Sequence, residues 1–349
     1  MGGIRVNRLQ RELEDILNRY SRAGYFPAAC VRVFDREKTL AVACVGGIGE
    51  DAVFDVASLT KIATATQLLM LMDEGKIAPE DRIVSLLPPL EEDSFLRKRM
   101  ESITLYALLT HTSTLPDWYP FYAHAGEDFY RVLRIALESM PPVSGAVYSD
   151  LNFMLLGKLL ERLRGKSLSE CLADFAKQLD LGRICYHPAA ALPLVPSDYG
   201  NAIEMRMCAQ RGIAFSGFRP LGVPVVGTVN DGNTHYFFGD EAGHAGIFAD
   251  ALAYEKLCRF YMNAPSSSLL WEAQREQAAA PGRGIGLQTG TSYPHGCGHT
   301  GFTGTGIYFS SEYNIGAVTF TNRLFYPGGN PNPTGEFRRA LQEAVFALR

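Results

Sequence analysis

Long apolar runs are absent. The longest candidate, Ile62 to Met72, is broken by Thr64, Thr66 and Gln67. A bilayer-crossing helix needs about twenty consecutive apolar residues, so no membrane span is expected. A surplus of basic charge is absent too. Lys and Arg number 33 against 37 Asp and Glu, a formal net charge of −4. No strong positive field exists to attract nucleic acid or an anionic lipid surface, which argues against both as partners. Cysteine is sparse and unpatterned. Cys30, Cys44, Cys171, Cys185, Cys208, Cys258 and Cys297 include no Cys-x-x-Cys pair, so neither a zinc site nor a redox dithiol is suggested. Free thiols in a reducing compartment are the expectation. An apolar leader is missing as well. Arg5, Arg8 and Arg11 alternate with Glu12, Glu14 and Asp15 where its core would lie, and a cytoplasmic location is expected. Neither His-Glu-x-x-His nor Gly-x-Ser-x-Gly occurs, which removes the metalloprotease helix and the nucleophile elbow.

What is present is a chain of 349 residues, 47% hydrophobic, long enough to bury a large core. Val6, Leu9, Leu13, Ile16, Leu17 and Tyr20 recur at helical spacing. Ala28 to Phe34 and Thr39 to Val45 read as a β-hairpin across Asp35–Lys38. A helix is expected from Ser58 to Glu74, ended by Gly75. Further helices are expected at Leu105 to Leu109, Leu151 to Leu163 and Leu168 to Leu179. Loops rich in Gly and Pro fill Pro188 to Asn233. After Asp250 come a helix to about Asn263, strands at Gly304 to Ser310 and Ile315 to Asn322, and a closing helix from Thr334 to Leu348. The pattern predicts an α+β fold: an antiparallel sheet built from both chain ends and flanked by helices, with an inserted, mostly helical region. Residues 1–60 and 230–349 would form the sheet part and 61–229 the insertion, working as a single catalytic unit.

Three short segments carry possible chemistry. In Ser58-Leu59-Thr60-Lys61 a serine opens a helix and a lysine follows one turn on. Serine needs a neighbouring base to act as a nucleophile, and a helix mouth favours developing negative charge. Lowering a lysine pKa to near 7 costs roughly 4 to 5 kcal/mol, which the apolar neighbours Val56, Ala57, Ile62, Ala63 and Ala65 can supply in part by desolvation. The bland alternative is a serine cap followed by an exposed lysine. Tyr148-Ser149-Asp150 precedes a helix; a phenol beside a lysine can share its proton, whereas the bland alternative is a packing aromatic and Asp150 as N-cap. Gly298-His299-Thr300-Gly301-Phe302 precedes a strand and lets a substrate approach the backbone. Its alternative is a glycine-rich turn with an incidental histidine.

In order and spacing these segments resemble the serine β-lactamase and penicillin-binding protein superfamily, most closely its class C-like branch. That branch holds D-Ala-D-Ala carboxypeptidases, amidases, esterases and β-lactamases. The resemblance also takes in Phe26-Pro27-Ala28-Ala29, Phe54-Asp55-Val56-Ala57, Ile103 to Ser113, Leu151-Asn152-Phe153 and Ala242 to Phe248, so it covers nearly the whole chain. It implies the β-lactamase/transpeptidase-like fold. It also implies Ser58 as the acylated nucleophile, Lys61 as its partner and Tyr148 as general acid/base. His299-Thr300-Gly301 would stand in for a Lys-Thr-Gly strand, and the Ser58 and Phe302 N–H groups would form the oxyanion hole.

The chain departs from that pattern at Asp150, where many relatives carry Asn. A carboxylate cannot donate to a substrate carbonyl, and it would raise the Lys61 pKa and shift base work toward Tyr148. His299 in place of lysine weakens binding of a substrate carboxylate at neutral pH. Thr114 stands where relatives have Gly, a change expected to affect backbone conformation only. His111, His124, His187, His235, His244 and His295 read as structural or surface residues; of these His244 is the one expected near the cleft. Asn230-Asp231-Gly232-Asn233 reads as loop chemistry at a cleft rim. Gly282-Arg283-Gly284 imitates a nucleotide loop without the frame of one. The expected activity is a serine hydrolase forming an acyl-enzyme on ester, amide or β-lactam carbonyls of small molecules or peptides. Esterase or peptidase work is favoured over efficient β-lactamase work, and no metal or cofactor is expected. The rivals are a catalytically silent ligand sensor and an acyltransferase.

Overall fold

The computed structural model describes residues 2–327 and 332–347. Leu348, taken as the end of the closing helix, lies outside them, as does the side chain of Val6. Among the described residues there are eight strands: β1 (Ala29–Phe34), β2 (Thr39–Val45), β3 (Phe54–Asp55), β4 (Ile184–Cys185), β5 (Phe248–Ala249), β6 (Cys297–Thr300), β7 (Gly306–Ser310) and β8 (Ile315–Thr321). Five of them form an antiparallel sheet in the order β2-β1-β8-β7-β6. The sheet joins both ends of the chain, as the placement of the β-rich stretches predicts. Along β1, Ala29, Val31 and Val33 pack with Leu13 and Leu17 of helix Gly2–Arg22 and with Phe337 and Leu341 of helix Gly335–Phe346. The other face joins a larger core that runs from Cys30, Val318 and Phe320 to Leu151 and Leu172. Arg32 points into that second face and pairs with buried Glu255 at 2.7 Å.

A second, small sheet has the order β3-β5-β4. Its two-residue strands are too short to show a period, which hid them from the sequence pattern. The residue pattern marks strand β6 as a turn, because Cys-Gly-His-Thr lacks a run of β-formers, whereas the family resemblance implies a strand there. Pro188 to Asn233 was expected as loop, yet it holds helix Ala202–Gln210. Its buried face consists of Glu204 and Cys208, and a buried glutamate leaves no apolar signature.

The expected helix at Ser58 begins as a 3-10 turn, Ala57–Leu59, and continues as helix Thr60–Asp73. Nearly every side chain of this helix is buried, which identifies it as a central packing element. Gly75 follows its end with φ +70°, the left-handed turn expected of a glycine stop. Helix Asp150–Arg164 packs so closely on Gly243 that a Cβ at Gly157 or Gly243 would strike backbone. That approach brings the 243–246 segment against Lys61. No described helix is long and apolar enough to cross a membrane.

Candidate active site

Local bonds hold the turn before Ser58. Asp55 accepts from the N–H of Ala57 at 2.8 Å and of Asn230 at 2.7 Å, and Tyr254 donates to the Leu59 carbonyl. Ala57 itself is at φ +47°, an uncommon conformation for a residue with a side chain. The Thr303 and Thr305 hydroxyls donate to the Asp55 and Val56 carbonyls. These two bonds dock the end of β6 beside Ser58. A Cβ at Gly301 would collide with the Val56 carbonyl and the Thr305 hydroxyl, so the close approach depends on glycine there.

Lys61 is fully buried, so the reading of an exposed lysine fails. Its Nζ lies 2.9 Å from Ser58 Oγ, 3.0 Å from the His244 carbonyl and 2.8 Å from Asp150 Oδ1. An ammonium has three N–H donors; two donate to Ser58 Oγ and the His244 carbonyl, and the charge is paired with Asp150. Burial is the largest influence on Lys61 and works to lower its pKa. Asp150 and Tyr148 together outweigh it, and the pKa is raised. Desolvation therefore does not free this lysine as a base; the carboxylate holds it as a cation, in the direction Asp150 suggests from sequence.

Asp150 is the first residue of its helix. Ser149 occupies the N-cap position, and no side chain caps that end. The capping reading of Asp150 is thus replaced by an ion pair. Ser149 is itself anchored: its hydroxyl donates to the Pro116 carbonyl, and its N–H donates to His111 Nδ1. The His111 ring lies 4.6 Å from that of Tyr148. His111 is thereby structural, fixing the segment that delivers the phenol. Thr114 sits at φ +64°, the strain expected where glycine is replaced.

The Tyr148 ring centroid lies 5.1 Å from Lys61 Nζ, and the side chain lines the same cleft as Ser58. Burial raises its pKa, while the Lys61 charge and side-chain contacts with Lys61 and Ser58 lower it, with a net rise. Arg283 lies over its ring at 5.4 Å.

His299 departs from expectation. It is 2% exposed and does not line the cleft that holds Ser58. Its Nδ1 donates to the Thr300 carbonyl at 2.9 Å. Burial, reinforced by the Lys61 charge, pushes its pKa down to about 3. It is neutral at pH 7 and is not a substrate-binding cation. Positive charge comes instead from Arg283, Arg323 and Arg338, which line the cleft with Thr300, Gly301 and Phe302. Arg323 donates to the Phe302 carbonyl and Arg338 to that of Thr305. Sequence reasoning passed over Arg323 and Arg338 and treated Arg283 only as part of a false nucleotide loop; fold contacts alone bring the three together.

The cleft measures about 640 Å³, adequate for a dipeptide-sized ligand. Ser58, Tyr148 and Asp150 line it, as do Asn230 and Asp231 from the expected rim. His244 lies beneath, with its ring against Asp231 at 3.0 Å. Among the described residues no three His, Cys, Asp or Glu side chains converge to hold a metal ion.

A buried helix bearing Ser58 and Lys61, a phenol delivered from a second helix mouth and a glycine-bearing strand end define a β-lactamase-like site. The Beta-lactamase family model matches residues 13–340, and the chain belongs to that family. It is 28% identical over 337 residues to an N-acetylmuramyl-L-alanine amidase of Bacillus subtilis, covering 84% of this chain and 76% of that one. It is 26% identical over 314 residues to a putative D-alanyl-D-alanine carboxypeptidase of Escherichia coli K12, covering 80% and 70%. Among solved structures, a β-lactamase/D-alanine carboxypeptidase from Pseudomonas syringae superposes with TM-score 0.70 at 14% identity, covering 97% and 99%. EstCE1, a hydrolase with promiscuous acyltransferase activity, superposes with TM-score 0.68 at 16% identity, covering 98% and 100%. The fold is that of the β-lactamase/transpeptidase class.

Proposed function

We propose that the protein is a serine hydrolase that works through an acyl-enzyme on Ser58. The observation that carries this reading is the contact of Ser58 Oγ with a fully buried Lys61 at 2.9 Å, in a cleft that Tyr148 also lines. Lys61, engaged as a cation, orients Ser58 Oγ and stabilises negative charge on the phenol oxygen. Proton transfer requires the Lys61–Tyr148 pair to be one proton short of full. In that state Tyr148 takes the Ser58 proton as Oγ attacks the carbonyl carbon, then gives it to the leaving group. Two such interacting groups titrate as a pair. Because the Lys61 and Tyr148 pKa values are both raised, the rate rises from neutral toward alkaline pH. The Ser58 and Phe302 N–H groups serve as oxyanion donors.

Arg283, Arg323 and Arg338 suit a substrate with a carboxylate, since guanidinium binds carboxylate in a fork geometry. Arg283 over Tyr148 sets that carboxylate on the leaving-group side. This favours peptide or ester hydrolysis over efficient β-lactam turnover, with Asp150 in place of an amide donor. The names of the amidase and carboxypeptidase relatives agree with the peptide reading. The test is labelling by a fluorophosphonate probe followed by intact-mass analysis. One adduct is expected on wild type and none on Ser58→Ala; labelling that persists in the variant sinks the assignment.

A further inference from the structure

The cleft contains a second set of ionisable groups that the acyl transfer does not use. Glu204, from helix Ala202–Gln210, is 7% exposed and faces into the cleft. Its Oε1 accepts from the Gly232 N–H at 2.7 Å; its Oε2 is buried without a hydrogen bond, with the nearby Tyr122 hydroxyl on Cys208 Sγ at 3.2 Å. A buried polar atom left this way is costly and marks a place where a donor belongs. Asp231 lines the same cleft. Its contacts with Thr234 N, Thr234 Oγ1 and His244 Nε2 all fall on Oδ1. Burial, helped by the charges of Asp231 and Asp150, pushes the Glu204 pKa up to about 8. Ionising Glu204 beside Asp231 is unfavourable, and a bound cation would offset that cost.

The neighbouring arginines are turned to other groups, although Arg219 keeps a buried Nη1 without a hydrogen bond. Arg219 donates to the Val229 carbonyl at 2.6 Å and lies over the Tyr236 ring. Arg211 lies over the Trp118 ring, 3.6 Å from Asp117. Among the described residues neither forms an ion pair with Glu204 or Asp231. The arginines of the cleft sit on other elements, around Tyr148 and the end of β6. Tyr148 protonates the leaving group, so the arginine side is the leaving-group side. The acyl part of the substrate then extends toward Glu204, Asp231 and the Trp118 face.

We propose that Glu204 and Asp231 hold a free ammonium group on the acyl part of the substrate, so that the enzyme prefers amino-acyl amides and esters to N-blocked ones. This deepens the acyl-enzyme reading and rests on it. In the reaction Ser58 Oγ bonds to the aminoacyl carbon, the carbon–nitrogen or carbon–oxygen bond breaks, and the leaving group departs with the proton from Tyr148. Water then cleaves the ester, releasing the amino acid and restoring Ser58. An ammonium carries three N–H donors, which Glu204 Oε2 and the Asp231 carboxylate can accept.

The test compares p-nitroanilides of D-alanine, L-alanine and 6-aminohexanoate, each beside its N-acetyl form, at pH 7.5 to about 8. For at least one pair, kcat/KM is expected to favour the free amine by about tenfold or more. In Glu204→Gln the ratio for that pair is expected to fall at least several-fold toward 1. A second measurement needs no variant: butylammonium should inhibit wild type competitively, and butanol should not. If all three pairs show ratios at or below 1 while the fluorophosphonate still labels Ser58, the ammonium site is overturned and the acyl-enzyme reading stands. If Ser58 is not labelled, both fall. A preference unchanged in folded Glu204→Gln also overturns the assignment.

Discussion

Lys61 and His299 are two basic side chains buried in the same centre, and the protein drives them to opposite charge states. Both lose water, and for both burial is the largest influence against the charged form. Lys61 has Asp150 at 2.8 Å and stays a cation. Among the described residues His299 has no carboxylate hydrogen-bond partner; it has the Thr300 carbonyl and the nearby charges of Lys61, Arg283 and Arg338, and it is neutral. The lesson is that depth alone does not set protonation here; the counter-charge does. A site with one held cation and one neutral imidazole can place a single proton deficit on the Lys61–Tyr148 pair instead of spreading it.

The largest effect expected from disturbing this contrast is at the phenol. Tyr148→Phe should lower kcat for a p-nitrophenyl ester by about 10²- to 10⁴-fold, the range for loss of a positioned acid/base. Circular dichroism should remain that of wild type, since the ring packing on His111 is kept. Next comes the counter-charge. Asp150→Asn removes the carboxylate that raises the Lys61 pKa and that adds to the rise burial imposes on Tyr148. The acid limb of the kcat/KM profile should move to lower pH by about 1 to 3 units. An unmoved limb would mean that Asp150 does not govern the pair.

His299 tests the other half. Its folded pKa, near 3, lies below the unfolded value of about 6.5. Between those values the unfolded chain binds more protons, so stability falls as pH falls through that window. The slope from this residue is about 1.4 kcal/mol per pH unit. In His299→Gln, urea unfolding between pH 6.5 and 4.5 should lose about that much of its pH dependence, with a smaller change at pH 7.5. A mild effect lies in the loop that anchors Tyr148. Thr114→Gly relieves a positive φ and should stabilise by about 1 kcal/mol, read as a rise in Tm.

The same contrast shows what a sequence reveals. Ser58 and Lys61 are one helical turn apart, so their meeting is local and legible. Tyr148 comes from a distant segment and was recognisable only through resemblance, since its own surroundings suit a packing aromatic equally well. That Asp150 would raise the Lys61 pKa follows from charge alone, once proximity is granted. The fate of His299 was not legible: His-Thr-Gly does not say whether the ring faces the cleft or the sheet. Glu204, Arg323 and Arg338 were invisible for a related reason. Each sits in a segment whose local pattern is ordinary, and only the docking of helix Ala202–Gln210 and of the chain end onto β6 brings them to one cleft. Four strands of the five-stranded sheet, by contrast, were plain as β-rich runs at both ends of the chain, and only β6 lacked such a run.

The most direct measurement of the central claim is a rapid-quench experiment with p-nitrophenyl butyrate, joined to peptide mass mapping. The account predicts a burst of p-nitrophenol near one equivalent per chain and a butyryl group on the peptide bearing Ser58, with both lost in Ser58→Ala. A burst that survives in the variant, or a butyryl group mapped to another residue, would contradict it.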